Sequence, residues 1–240
     1  MDRDGRVSET MQPHDPRLIS QAGIKLAVFD IDKTFVRGDS FKWFCWFAMK
    51  RNGLKTRWFW RFASDALRHP TRLLDAGHLK KACLRICLVG GDKAGITTLV
   101  ETFVDGILLK RVISVAEERL RWHKQQDHRI VFLSASPDLY LKYLGARFTV
   151  DSLVCTQFLS RDGLFTGELF SPNCKGDEKR RRLLETYPGS EIAWDQSYGY
   201  GNSVEDVSFL ELLGNPVAVN PDAKLREIAV QRNWSIEAWT

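Results

Sequence analysis

Short apolar runs alternate along the chain with longer stretches that mix polar and apolar residues. The runs have the length and the content of β-branched and aromatic residues that buried strands have. They predict five strands, at Lys25–Phe29, Arg129–Leu133, Ser152–Gln157, Gln196–Tyr200 and Pro216–Asn220. Helical stretches separate these strands, and Asp162-Gly163 predicts a hairpin turn. The alternation indicates an α/β fold.

About a hundred residues separate the first two predicted strands. The pattern there is helical, with breaks at Asn52-Gly53, His69-Pro70 and Gly90-Gly91. A simple crossover between parallel strands needs far fewer residues. We therefore predict a helical cap, residues 41–120, inserted after the first strand into a core formed by residues 23–40 and 121–240.

The first strand runs directly into two acids, Asp30 and Asp32, which are followed by Thr34. Alternation along an extended chain puts both carboxylates on the same side, and α/β sheets bind ligands at the carboxyl ends of their strands. A divalent cation would hold one acid as an anion while the other carries a proton for general acid–base chemistry. The spacing indicates a catalytic site, with an aspartate-rich turn as the alternative.

Three later segments carry polar residues suited to the same site. Ser134-Ala135-Ser136-Pro137 places a hydroxyl after the second strand, where a helix begins. Lys175 and Lys179 lie near another helix start, where an ammonium group would neutralise phosphoryl charge. A turn of small residues with Asn202 and Asp206 follows the fourth strand. Acids, hydroxyl, lysine and acid in this order favour phosphate chemistry.

Composition limits the size and the compartment of the protein. A chain of 240 residues, 44% hydrophobic, suits one α/β domain with an insertion. Five cysteines without paired spacing predict a reducing, cytoplasmic location. Cys83 and Cys87 lie one helical turn apart without a further ligand, which favours core thiols over a metal site. Residues 1–22 predict a disordered tail rather than a signal peptide.

Positive charge is concentrated in the predicted cap. Residues 41–90 contain eleven lysines and arginines against two aspartates, a net charge of +9, so the other 190 residues carry −4 of the chain's +5. The same region is aromatic, with Trp and Phe at positions 41, 43, 44, 46, 47, 58, 59, 60 and 62. Its uncharged run, Trp43–Met49, is far shorter than the roughly 20 residues of a membrane span. We expect contact with an anionic membrane at its inner face, or ordinary packing of the cap helices.

The motifs together resemble those of haloacid dehalogenase (HAD) superfamily phosphatases, of the subfamily IB that includes phosphoserine phosphatase. The resemblance covers about residues 23–236 and rests on Asp30–Thr34, Gly38-Asp39-Ser40, Ser134–Pro137, Asp162-Gly163 with Thr166-Gly167, Gly176-x-x-Lys179, Gly201–Asp206 and Asn220-Pro221-Asp222. It implies a Rossmann-like, doubly wound core of five parallel strands, Mg²⁺ and a phospho-aspartyl intermediate.

The resemblance also implies a role for each site residue. Asp30 would attack phosphorus and bind Mg²⁺, and Asp32 would be the acid and base while its backbone carbonyl binds the metal. Thr34 would steady the loop, and Ser134 would bind phosphoryl oxygens together with a lysine. The subfamily pattern favours Lys179 for that lysine, and the phosphoserine phosphatase pattern favours Lys175.

The fourth motif departs from the family, whose members usually have Gly-Asp where this chain has Gly201-Asn202. An amide still offers Mg²⁺ an oxygen but removes one negative charge, and Asp206 remains to order the waters of the metal. We expect weaker metal binding, not an inactive enzyme.

The substrate stays open at this point. The basic aromatic cap is similar to the branch that contains phosphatidylglycerophosphate phosphatase type C, which implies a lipid or another bulky amphiphilic phosphomonoester. The alternatives are a small soluble metabolite, such as phosphoserine or a sugar phosphate, and a non-catalytic binder of anionic membrane or RNA on a degenerate scaffold. The intact catalytic set argues against a binder, and no nucleic-acid partner is expected. The oligomeric state is not predicted.

Overall fold

The structure is a computed structural model. It describes residues 23–52, 60, 63–64, 67, 76–88, 91–162 and 164–240. The predicted tail, residues 1–22, lies outside the described residues.

A six-stranded parallel sheet forms the centre of the molecule. Its strands are β1 (Leu26–Phe29), β2 (Arg129–Pro137), β3 (Ser152–Thr156), β6 (Tyr198–Gly201), β7 (Asn215–Val219) and β8 (Ser235–Glu237). Their order is β3-β2-β1-β6-β7-β8, so the chain winds in both directions from β1. The predicted Rossmann-like, doubly wound fold is confirmed. The implied number of five strands was wrong, because β8, only three residues long, adds a sixth that gives no recognisable apolar run.

Eight α-helices accompany the sheet in the described part of the chain. They are α1 (Ser40–Asn52), α2 (Ala76–Leu88), α3 (Lys93–Phe103), α4 (Ser114–Gln125), α5 (Asp138–Phe148), α6 (Asp177–Thr186), α7 (Val207–Leu210) and α8 (Ala223–Gln231). Asp92 and Asp222 cap α3 and α8 by accepting backbone N–H groups of the first turn. Helices α1 to α3 follow β1, where the insertion was predicted. The boundary predicted at residue 120 falls inside α4, and the division into cap and core stays a prediction.

A two-stranded antiparallel hairpin, β4 (Phe158–Arg161) and β5 (Leu164–Leu169), stands apart from the main sheet. It occurs where the hairpin was predicted, with Asp162 in the left-handed region at φ 52°. Gly163 lies outside the described residues. Helix α2 packs against β5, and Arg85 on α2 forms an ion pair with Glu168.

The two faces of β1 explain the two hydrophobic cores. Successive strand residues point to opposite faces, and all four residues of β1 are fully buried. Ala27 and Phe29 face a core that includes Phe44 of α1 and buried residues of α2 to α5. Leu26 and Val28 face a second core that includes buried residues of α6 to α8. Helices α1 to α3, which belong to the predicted cap, therefore share one apolar cluster with the sheet and with α4 and α5.

The structure bears on two features of the predicted cap, its cysteines and the length of its apolar helices. Cys87 is buried and Cys83 half-buried, and the described residues contain no group of three or more His, Cys, Asp or Glu that could hold a metal ion. No helix within the described ranges is long and apolar enough to cross a membrane.

Candidate active site

The carboxyl ends of β1, β2 and β6 bring the predicted site residues together. Asp30 follows β1, Ser134 lies in β2, and Asn202 follows β6. The three strands are hydrogen-bonded neighbours, and the backbone N–H of Asp30 donates to the carbonyl of Tyr200 in β6. The site therefore lies beside the point where the strand order reverses, where open α/β sheets bind ligands.

Lys179 lies between the carboxylates of Asp30 and Asp206. Its Nζ donates to Oδ1 of Asp30 and to Oδ1 of Asp206, both at 2.6 Å, and all three side chains are buried. The other oxygen of Asp30 accepts the hydroxyl of buried Thr34 at 3.1 Å. An ammonium group shared by two acids holds them close together in a site that excludes water, where each charge acts strongly.

The two lysines left open by the sequence are in different surroundings. Gly176 adopts φ 58° directly before α6, a conformation that glycine allows at little cost, so Lys179 lies in the first turn of the helix and faces Asp30. Lys175 precedes this turn, is about half exposed, and pairs with Glu205 at 3.1 Å. Lys179 is thus the lysine that contacts Asp30.

Burial changes the ionisation of the central groups. Burial raises the pKa of Asp30 to about 7, although Lys179 opposes this shift. Burial also lowers the pKa of Lys179, but the charges of Asp206 and Asp30 outweigh it and keep that pKa above its ordinary value. Lys179 therefore stays protonated while it contacts both acids.

Asp32 is held by hydrogen bonds on both of its oxygens. The hydroxyl of Ser136 donates to Oδ2 and the backbone N–H of Ser40 donates to Oδ1, each at 2.6 Å. Burial raises the pKa of Asp32, and the hydrogen bonds from Ser136 and Ser40 offset only part of the effect. The hydroxyls of Ser40 and Tyr140 are 2.9 Å apart, which extends the network. A carboxyl group with a raised pKa in this position can carry a proton.

The turn after β6 fixes Asp206 and Asn202. Oδ2 of Asp206 accepts the backbone N–H groups of Asn202 and Ser203, at 3.0 and 3.1 Å. A side chain at Gly201 would bring its Cβ to 2.7 Å from Cβ of Asp206, so only glycine permits this approach. Asp195, the other acid near β6, precedes the strand and lies at the opposite end from the site.

The oxygen donors at this end of the sheet fit Mg²⁺. Asp30 offers a carboxylate, and no backbone N–H of the described residues donates to the carbonyl of Asp32. In the described part of the chain, the side-chain amide of Asn202 makes no hydrogen bond, so its oxygen is available. Carboxylate, carbonyl and amide oxygens are the hard ligands that Mg²⁺ prefers. Both oxygens of Asp206 accept hydrogen bonds, as do both oxygens of Asp30, so the hydrogen bonds do not rank these two acids as metal ligands.

The sequence did not point to a second cluster beside Ser134. Lys80 of α2 donates to the carbonyl of Ala135 and, at 2.7 Å, to Oδ1 of Asn173. The hydroxyl of Thr156, at the end of β3, lies within hydrogen-bond distance of the same two acceptors and can donate its one hydrogen to either. From the sequence, Lys80 was only one of the eleven basic residues between positions 41 and 90. No sequence motif predicts its contact with Ala135, because that contact depends on how α2 packs.

Comparison with known proteins decides the family. The sequence model of haloacid dehalogenase-like hydrolases matches residues 27–211. The chain belongs to this family. The predicted family and the prediction that the chain is a hydrolase are confirmed, and the match contains all the site residues described above.

Curated relatives include proteins of Mycobacterium tuberculosis. One, named as a probable phosphatase, is 25% identical over 97% of this chain and 82% of its own length. Another, named as a phosphoserine phosphatase, is 26% identical over 88% of this chain and 69% of its own length.

Two solved structures have a similar fold. A Bordetella pertussis protein of unknown function superimposes with a TM-score of 0.76 and 26% identity, covering 89% of this chain and 98% of its own. A phosphoserine phosphatase captured as a phospho-aspartyl intermediate analogue has a TM-score of 0.60 and 17% identity, covering 89% of this chain and 92% of its own. The second likeness supports the fold alone.

Proposed function

We propose that the protein is a magnesium-dependent phosphomonoester hydrolase that forms a phospho-aspartyl intermediate on Asp30. The observation that carries the proposal is the position of Asp30 between Lys179 and Thr34, with Asp32 held two residues away. The family match and relatives named as phosphatases support the same reaction class.

The first half of the reaction transfers the phosphoryl group to the protein. A carboxylate oxygen of Asp30 attacks phosphorus in line while Asp32 donates its proton to the oxygen of the leaving alcohol. The hydroxyl of Ser134 and the ammonium group of Lys179 hydrogen-bond the phosphoryl oxygens. Thr34 keeps Asp30 in the orientation needed for attack, because it bonds the second carboxylate oxygen.

The second half hydrolyses the acyl phosphate. Asp32, now an anion, removes a proton from water, which attacks phosphorus and releases inorganic phosphate and free Asp30. The hydrogen bonds from Ser136 and Ser40 would hold Asp32 where it can reach the oxygen of the leaving alcohol and, later, the oxygen of the attacking water. One residue acts as acid and then as base, so the site needs no other proton carrier.

Asp30, the backbone carbonyl of Asp32 and the amide oxygen of Asn202 would hold the magnesium ion. When bound, the ion would neutralise phosphoryl charge as a Lewis acid. Asp206, expected from the sequence to order metal-bound waters, would also hold Lys179 in place, because it accepts a hydrogen bond from the ammonium group at 2.6 Å.

We propose an amphiphilic phosphomonoester as the substrate, met at an anionic membrane surface. Lys42, Trp46 and Lys50 follow one another at helical spacing on α1 and are all exposed, and Nζ of Lys50 lies 5.2 Å from the ring centre of Trp46. Exposed tryptophan beside lysine suits the interface between lipid head groups and acyl chains. Phe44 on the opposite face is buried, so only part of the aromatic set is available for contact.

A cavity beside α5, the helix that directly follows Ser134–Pro137, is compatible with an amphiphilic substrate. It has a volume of about 240 Å³ and opens between α3, α5 and the hairpin. Its lining is mainly apolar, with Lys93 and Lys142 among its residues, and it includes Leu139, three residues after Ser136. A mainly apolar lining with two lysines suits a short apolar group of an anionic ester. Phosphoserine is the second candidate, because one relative carries that name.

A hydrolysis screen tests the function and the substrate class. Purified protein is assayed for phosphate release from phosphoserine, sugar phosphates, nucleotides and phospholipid head-group esters, with Mg²⁺ varied from a chelated baseline. We expect Mg²⁺-dependent release, highest for an amphiphilic ester. Preference for phosphoserine would overturn the substrate class alone, and no release from any ester would overturn the proposed function.

A further inference from the structure

We propose that Lys80 of the cap is a positioning residue of the phosphate site, which fixes the Ser134–Ser136 loop and adds a positive charge for the anionic substrate. This inference rests on the proposed function and extends it to a residue outside every motif of the core. It also gives the cap a direct part in binding the phosphate group.

The hydrogen bonds of Lys80 converge on the phosphoryl-binding loop. Its Nζ donates to the carbonyl of Ala135, the residue between Ser134 and Ser136. The backbone N–H of Ser136 donates to the hydroxyl of Ser134 at 3.0 Å, and the hydroxyl of Ser136 donates to Asp32 at 2.6 Å. A bond to Ala135 therefore steadies both the residue that would bind phosphate and the residue that orients the acid.

A second set of bonds ties Lys80 to the core. Asn173 accepts a hydrogen bond from Nζ of Lys80 at 2.7 Å, and the hydroxyl of Thr156 lies 3.1 Å from the side-chain oxygen of Asn173 and 2.8 Å from the carbonyl oxygen of Ala135. The ring of Phe41 on α1 lies 5.9 Å from Nζ and covers another side of the group. Lys80 thus joins two cap helices to the ends of β2 and β3.

The positive charge of Lys80 is not neutralised by its hydrogen-bond partners. Lys179 gives two of its three hydrogen bonds to negatively charged acids, whereas Lys80 gives two to neutral acceptors, a carbonyl and an amide, which leave its positive charge unbalanced. An ammonium group has three donors, so one remains for a phosphate oxygen. The site contains Asp30, Asp32 and Asp206 against Lys179, and a second cation reduces the repulsion that a phosphate dianion would meet.

The environment of Lys80 gives the proposal a pH signature. Burial lowers the pKa of Lys80 to about 8, while Asp32 and Asp39 oppose the shift; Cys174 opposes it too, and Lys179 adds to it. Lys80 is charged below this pKa and neutral above it. Anion binding that depends on Lys80 should therefore be strongest below about pH 8 and weaken as the pH rises.

The test measures binding of tungstate, a phosphate analogue that stays a dianion, by titration calorimetry at about pH 7 and about pH 9 with Mg²⁺ fixed. Lys80→Met should bind tungstate roughly 10- to 100-fold more weakly than wild type at the lower pH, as expected for loss of a charged hydrogen bond. Lys81→Met, on the same helix, is the matched control and should bind like wild type.

The two pH values separate a charge effect from a structural one. Wild type should lose more affinity between the two pH values than Lys80→Met does, and Lys80→Arg should lose no more than Lys80→Met, because guanidinium stays charged. Equal tungstate affinity and pH response in wild type and Lys80→Met would overturn the proposal. If Lys80→Met does not fold, the same pH loss in Lys80→Arg as in wild type would overturn it. Wild-type protein that neither binds tungstate nor hydrolyses any ester would instead overturn the proposed function.

Discussion

At the scale of single residues, the account depends on which lysine serves Asp30. Lys179 is buried between two acids, and Lys175 pairs with Glu205 at the surface. We predict that Lys179→Met lowers kcat by about 100-fold or more, because a charge that stabilises the transition state is lost. The same change should destabilise the fold by about 3–5 kcal/mol, because two buried acids lose their partner.

Lys175→Met is the control for this change, since it removes the same charge four residues earlier. It should leave kcat within about twofold and the urea midpoint nearly unchanged, as exposed ion pairs contribute little. Steady-state kinetics and urea unfolding of both variants check the prediction. A larger loss of kcat in Lys175→Met than in Lys179→Met would reverse the assignment.

Asn202 provides a second test at this scale, because it replaces a carboxylate with an amide at the proposed metal site. Asn202→Asp should lower the Kd for Mg²⁺ by roughly tenfold, or about 1.4 kcal/mol, since an anionic oxygen then meets the divalent ion. Titration calorimetry with Mg²⁺ alone measures this directly. Asn233→Asp, at a distant turn, is the control, and an unchanged Kd in Asn202→Asp would remove Asn202 from the ligand set.

Some of these residues could be predicted from the sequence and others could not. Asp30, Asp32 and Asp206 occur in short motifs whose spacing and strand context already imply their neighbours. The contact of Lys80 with Ala135 joins residues 55 positions apart and depends on how α2 packs. The backbone conformation of Lys33 could not be predicted either. It adopts φ 65°, which a residue with a side chain does not favour.

At the scale of elements, helix α1 shows how one aromatic segment divides between two uses. Phe44 and Ala48 are fully buried against the cap and core, while Trp46 is 58% exposed between Lys42 and Lys50. The sequence left packing and surface contact as alternatives because both need aromatics at helical spacing. In the structure, the buried and the exposed residues lie on different faces of α1. Trp58, Phe59 and Phe62, also counted in the aromatic set, lie outside the described residues.

The exposed face of α1 carries a prediction about membranes. The variant Trp46→Ala, Lys50→Gln, Arg51→Gln should float less with vesicles rich in acidic lipid than wild type does, while hydrolysing a small soluble ester at an unchanged rate. Wild-type binding should also weaken as salt rises, because exposed charges are screened within about 10 Å at 0.1 M salt.

A control with the same loss of charge is Lys224→Gln, Arg226→Gln, on the exposed side of α8. It should float like wild type. If both variants lose binding equally, only net charge matters and α1 is not a specific contact surface. If wild type does not float at low salt, the membrane contact is wrong and a soluble substrate is favoured.

At the scale of the whole molecule, acidic side chains of the predicted core and the basic side chain of Lys80, from the predicted cap, lie near the carboxyl ends of the central strands. The core supplies three acids and Lys179, and the cap supplies Lys80 and the exposed face of α1. The strand pattern predicted the sheet, since its strands follow from local apolar runs, and the inserted cap stays a prediction. The sixth strand, Ser235–Glu237, was missed because three residues that pair only along β7 leave no periodic signal.

The central claim is that Asp30 becomes phosphorylated during turnover. Protein incubated with an aryl phosphate is quenched in acid, digested and examined by mass spectrometry, using Asp32→Asn to slow hydrolysis of the intermediate. The account predicts a phosphoryl group on the peptide that contains Asp30. It predicts loss of both this adduct and turnover in Asp30→Asn, with neither lost in Asp177→Asn, an exposed aspartate of α6. Turnover that persists in Asp30→Asn, or a phosphoryl group on another residue, would contradict it.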